Sequence, residues 1–146
     1  MRYFEALGIP PRLSINLADL EQRFYARSRE LHPDRFARAS RDDQQRALQS
    51  SSELNDAYRT LRNPISRAEY FLEEKGMPSG QLPPDVLEDF FDLSMDVEGG
   101  DPEAKARVRS MLDELDRELS DRSEALDLPG VRLLLDRRRY LTNLLV

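Results

Sequence analysis

Apolar residues recur at intervals of three and four along nearly the whole chain, and few stretches alternate, so the pattern predicts an all-α protein. A short opening helix carries Tyr3, Phe4 and Leu7 and ends at Gly8, with Pro10-Pro11 preventing its continuation. The next helix starts near Asn16 and sets Leu17, Leu20, Phe24 and Leu31 on one face. It stops by Leu31 or His32, because Pro33 disfavours helix at the residue before it. A longer helix from about Ser40 places Ala47, Leu48, Ser51, Leu54, Tyr58 and Leu61 on its expected buried stripe. Asn63-Pro64 opens a fourth helix with proline in the first turn; Ile65, Ala68, Phe71 and Leu72 form its apolar face, and Gly76 closes it.

The run from Gly76 to Pro84 is the only long stretch dense in proline and glycine, and it reads as a boundary. The expected organisation is therefore a first module over 1–75, a linker over 76–84 and a second module over 85–146. Three helices account for that second module. One runs from about Pro84 to Val97 and stops at Gly99-Gly100; the next opens at Asp101-Pro102 and carries Val108, Met111, Leu112, Leu115 and Leu119. Pro129 starts the last, with Val131, Leu134, Leu135, Leu141 and Leu145 inward. Short connections between three helices imply an antiparallel bundle.

Composition narrows the function. Without cysteine there are no disulfides, no thiol catalysis and no cysteine-ligated metal or cluster. No apolar run approaches a membrane span and no leader is evident, so a cytoplasmic protein with no membrane partner is expected. The net charge of -6 argues against nucleic acid, and it is uneven: residues 1–75 sum to +1 and 76–146 to -7, as two modules with different partners would. His32 is the only histidine, and no nucleophile motif, ligand pattern or glycine-rich phosphate loop accompanies it. No catalytic residue, metal site or cofactor is therefore expected.

The most informative stretch is His32-Pro33-Asp34, a corner between two helices. Pro-Asp is ordinary turn chemistry, and such a tripeptide can arise by chance. Its context points further. Arg23 and Arg27 lie four residues apart on the preceding helix, off its apolar face, with Arg29 nearby, so a basic strip runs toward the corner. A proline-stiffened turn displaying a carboxylate suits a bidentate hydrogen bond from a partner's arginine, and basic residues steer encounter with an acidic surface.

Residues 3–75 resemble a J-domain, the module by which co-chaperones stimulate ATP-driven chaperones of the DnaK class. More narrowly, His32-Pro33-Asp34-Arg35-Phe36, the run Leu54-Asn55-Asp56-Ala57-Tyr58-Arg59-Thr60-Leu61-Arg62-Asn63-Pro64 and Arg67-Ala68-Glu69-Tyr70 resemble the HscB family, J-type co-chaperones of iron–sulfur cluster assembly. Leu135-Asp136-Arg137-Arg138-Arg139-Tyr140-Leu141 is similar to that family's closing helix. The resemblance implies an L-shaped protein, a four-helix J-domain followed by a three-helix bundle. It also implies that Asp34 pairs with an arginine of an HscA- or DnaK-class chaperone, that His32 and Pro33 shape the docking loop, and that Arg23, Arg27, Arg29 and Arg35 support it. The chain would then activate a partner's ATPase and hydrolyse nothing itself.

The helix after the boundary carries two apolar stripes. Val86, Phe90, Leu93 and Val97 form one; Leu87, Phe91 and Met95 form another, offset by about 100°. Either the helix has one broad buried face, or one stripe packs internally and the other meets a partner, with Asp89, Asp92 and Asp96 at its edge. The resemblance implies the second: in the family this helix meets the scaffold protein on which the cluster is built, an IscU-like partner. Leu87 and Phe91 fall at apolar contacts and Asp92 at an acidic one. Glu88 stands where the family has an apolar residue, and Met95 where glutamate is common. A J-domain co-chaperone delivering a different client is the alternative, and the free chain is expected to be a monomer or weak dimer.

Overall fold

Helix starts in this chain coincide with residues able to cap them. Asn16 Oδ1 accepts from the Asp19 amide (3.0 Å), Ser40 Oγ from Asp43 (3.1 Å) and Asn63 Oδ1 from Ile65 (2.8 Å). Asp101 Oδ1 accepts from Glu103 (3.0 Å) and Asp127 Oδ1 from Gly130 (3.1 Å). Each bond satisfies an amide that the first helical turn leaves without a partner. The computed structural model describes residues 1–146 as seven α-helices with no strand. They are α1 (Arg2–Leu7), α2 (Leu17–Glu30), α3 (Arg41–Arg62), α4 (Pro64–Glu74), α5 (Pro84–Glu98), α6 (Pro102–Glu124) and α7 (Leu128–Leu144), with a 3-10 turn at Pro33–Phe36. They divide into two units, Met1–Glu74 and Lys75–Val146.

In the first unit α3 is the spine, packed against α1, α2, α4 and the 3-10 turn. Phe4, Leu7, Leu20, Leu54, Ala57, Leu61, Ala68 and Leu72 make its core. Arg67 is buried there too, donating through Nε to the Leu13 carbonyl (2.7 Å) and through Nη1 to Leu61 (2.8 Å), so it ties the α1–α2 connection to the end of α3. A buried guanidinium is tolerated because both carbonyls would otherwise lack a partner. Tyr70 accepts from the Tyr3 amide (3.0 Å) and stacks on the Tyr3 ring at 4.7 Å, fastening α1 to α4. Two members of the expected apolar stripes are exposed. Leu17, at the first position of α2, sits at the rim of an open cleft with Tyr58, Arg62 and Pro64. Leu48 is exposed because only the 3-10 turn lies over the first turns of α3; Ala57, one turn after Leu54, is buried instead.

In the second unit α6 and α7 form the most extensive pair and α5 packs on α6. Val86 and Phe90 of α5, Val108, Leu115 and Leu119 of α6, and Val131, Leu134, Leu135 and Leu141 of α7 fill the interior. The Pro/Gly-dense segment is not a loose spacer. Leu82 is buried, the Gly80 amide donates to Asp136 Oδ2 (3.4 Å), and Arg132 Nη1 donates to the Met77 carbonyl (3.3 Å). Arg132 and Asp136 also pair with each other at 3.0 Å in the interior. The α6–α7 corner turns on Leu126, a non-glycine residue in the left-handed region (φ 57°), after which Asp127 caps α7 while pairing with Arg122 at 2.6 Å.

The Arg122 hydrogen bond first, then the Gly130 amide, holds the Asp127 carboxyl below the usual carboxylate range. A depressed folded-state pKa contributes stability above the unfolded value, about 3.9, and that contribution is lost as pH falls through the folded value. Asp127→Ala is therefore expected to lower the urea midpoint at pH 7, and the gap from wild type to narrow progressively below about pH 5, where the unfolded carboxyl starts to bind its proton.

Candidate functional site

Each unit presents one surface that packing does not explain. In the first, α2 ends at Glu30 and the chain reverses through His32, which caps the 3-10 turn, with Pro33 at its first position. The Asp34 amide donates to His32 Nδ1 (3.2 Å) and the Arg35 amide to the His32 carbonyl (3.0 Å). Because Nδ1 accepts this bond, the neutral ring carries its proton on Nε2. The proline sets its own φ and the two bonds tie the amides that follow, so the backbone that carries Asp34 is set locally. Its carboxylate is 92% exposed, and its Oδ2 stands 3.6 Å from His32 Nδ1.

One residue that supports this turn had no place among the sequence expectations. Gln44, in the first turns of α3, donates through Nε2 to the Phe36 carbonyl at 2.9 Å and lies 3.4 Å from those of Ala37 and Ala39. Its signal was only a glutamine four residues after the capping Ser40. Beside the turn, Leu31, Pro33, Phe36, Ala47 and the exposed Leu48 line a shallow groove of about 580 Å³.

The basic strip is more constrained than its spacing implies. Arg27, Arg29 and Arg35 are exposed. Arg23 is anchored, donating to the Gly8 carbonyl (2.7 Å) and pairing with Asp19 (3.0 Å). Arg27 shares a cleft with Arg2, Glu5, Glu30 and Glu53, and Arg2 pairs with Glu53 at 2.9 Å. Carboxylates thus flank the strip, and the field near the turn is mixed rather than uniformly positive.

In the second unit, α5 separates its two stripes. Val86 (8% exposed) and Phe90 (7%) are buried, the Phe90 ring tilted against that of Tyr140 of α7 at 5.4 Å, and Leu93 and Val97 are half-buried. Leu87 (39%), Phe91 (59%) and Met95 (52%) face outward in a row along the helix. Glu88, Asp89 and Asp92 are exposed around them. Asp96, expected on the acidic edge, is instead paired with Arg107 of α6 at 3.0 Å, so the negative charge concentrates toward the start of α5. A row of three large apolar side chains in water, bordered by carboxylates, is a feature of binding surfaces rather than of helix packing.

Comparison with known proteins bears on both surfaces. The DnaJ domain family matches residues 2–70. A co-chaperone HscB homologue of Neisseria meningitidis is 37% identical over 128 residues, 86% of this chain and 76% of that one. Another, of Vibrio vulnificus, is 44% identical over 77 residues, 53% of this chain; that aligned stretch spans 45% of the Vibrio protein, less than half its length. Among solved structures, the chaperone HscB from Vibrio cholerae is similar with a TM-score of 0.74 and 28% identity, covering 99% of this chain and 93% of that one. The human co-chaperone HscB has the same fold, with a TM-score of 0.78 at 24% identity over 98% of this chain and 78% of its own.

The division of α5 is open to direct measurement. Leu87→Ala with Phe91→Ala is expected to melt within a few degrees of wild type. Phe90→Ala, which empties a buried site, is expected to cost about 3–5 kcal/mol in urea unfolding.

Proposed function

Because the chain belongs to the HscB co-chaperones of the J-domain family, we propose that it links an ATP-driven chaperone of the HscA or DnaK class to an IscU-like iron–sulfur scaffold protein. In this reading the His32-Pro33-Asp34 turn docks on the ATPase domain of the chaperone. Asp34 accepts a bidentate bond from a chaperone arginine, His32 and Pro33 hold its direction, and Arg23, Arg27, Arg29 and Arg35 orient the approach. The observation that carries the reading is the Asp34 carboxylate, 92% exposed on a turn whose backbone is fixed by proline and by the His32 ring. A turn whose backbone is already set gives up less entropy when a partner grips it.

On α5, Leu87, Phe91 and Met95 supply the apolar centre of the scaffold contact, while Glu88 and Asp92 favour a basic rim on the partner. A glutamate at 88 and a methionine at 95 exchange the places of apolar and acidic groups relative to the family, leaving a three-residue apolar row with carboxylates along the edge away from the core. The chain contributes no chemistry to hydrolysis. It would act in the cytoplasm by bringing client and motor together, so that ATP turnover is coupled to cluster assembly and transfer.

Two measurements separate the halves of this function. Asp34→Asn is expected to abolish stimulation of the chaperone's ATPase with helicity and melting unchanged; full stimulation by that variant would refute the docking role. Leu87→Ala with Phe91→Ala is expected to weaken scaffold binding by about 2–4 kcal/mol in calorimetry, as loss of apolar interface anchors does. Unchanged scaffold affinity, with stimulation intact, would favour a J-domain co-chaperone of a different client.

A further inference from the structure

The arginines that lead toward the His-Pro-Asp turn rest on the end of α1. Gly8 closes that helix in the left-handed region (φ 67°, ψ 32°), its amide and that of Ile9 returning to the Glu5 and Phe4 carbonyls. The Gly8 carbonyl accepts from Arg23 Nη1 at 2.7 Å, while Arg23 Nε is held by Asp19 at 3.0 Å. On the other side, a Cβ placed on Gly8 would lie 2.6 Å from Arg27 Nη2, 3.5 Å from its Cζ and 3.4 Å from Arg23 Nη1. The bare backbone at position 8 is therefore a platform against which two guanidinium groups are laid side by side.

A helix cap alone asks less of this position. Asparagine also adopts the left-handed region and would end α1 acceptably, but its Cβ would displace Arg27. We infer that Gly8 is a positioning residue for the chaperone-facing strip: it sets where the Arg23 and Arg27 charges stand relative to the Asp34 turn. The inference rests on the docking role proposed above and adds to it a residue that touches no partner. Long arginine side chains lose much rotamer freedom when a complex orders them, and charges already in register steer encounter more effectively than mobile ones. Position 8 thus acts on association rather than on the hydrolytic step.

The test is a titration of chaperone ATPase stimulation at several salt concentrations with full-length wild type, Gly8→Asn, Arg27→Lys, the double variant and Asp34→Asn. Gly8→Asn is expected to raise the half-saturating concentration about fivefold, with maximal stimulation unchanged and the salt dependence kept, because the charges are moved and not removed. Lysine at 27 keeps the charge and removes the group that Cβ would strike. The double variant is therefore expected to match Arg27→Lys alone. Half-saturation equal to wild type in Gly8→Asn, with Asp34→Asn inactive, overturns the positioning role and leaves docking standing. A loss in Gly8→Asn that the lysine does not repair and that follows lowered melting overturns it too, assigning Gly8 to the cap alone. Full stimulation by Asp34→Asn removes the docking reading and, with it, this inference.

Discussion

The bond from the Asp34 amide to His32 Nδ1, made just after a proline, is the constraint on which the first unit's surface depends. It is local: three consecutive residues set the backbone that presents one exposed carboxylate. Such a device can stand in water and still be ordered, because proline removes backbone freedom before folding begins and the ring nitrogen uses the next free amide. The helices around it serve mainly to carry it. Gln44 then holds the return path by its bond to the Phe36 carbonyl, so the turn is fixed at both ends.

The two units solve opposite problems. In the first, the core gathers around α3, and the exposed turn beside it is polar. In the second, α5 buries Val86 and Phe90 and leaves a parallel row of apolar groups outside. That row is held in order by the same helix whose other side is core, so its spacing is as well defined as the core itself. Charge is distributed accordingly: the first unit is nearly neutral with alternating signs near its turn, and the second carries most of the negative charge. Arg107 neutralises Asp96 in the last turn of α5, so the charge beside the row is weighted toward Glu88, Asp89 and Asp92.

Much of this architecture was legible in the sequence because its signals are local. Caps at Asn16, Ser40 and Asp101 and prolines at 64, 84, 102 and 129 mark helix starts directly, and the two stripes of α5 separate by geometry. What periodicity could not give is which part of a stripe is covered. Leu17 and Leu48 have the spacing of core residues, but Leu17 stands at the rim of an open cleft and Leu48 beside a shallow groove, a tertiary fact. Ala57 was passed over because a small side chain carries a weak signal, yet close approach at α3 depends on small residues. Long-range polar bonds were invisible for the same reason: nothing in the local pattern indicates that Arg67 ends on the Leu13 carbonyl, Arg23 on that of Gly8, or Arg107 on Asp96.

The segment between the units has a consequence for how such a protein can change. Leu82 is a core residue of the second unit, and the Met77 carbonyl and Gly80 amide are bonded to Arg132 and Asp136. Residues that would elsewhere be free to lengthen, shorten or drift are here structural members of the bundle. An insertion there would disturb the Leu82 packing and the bonds to Arg132 and Asp136, so it would register first as lost stability of the second unit.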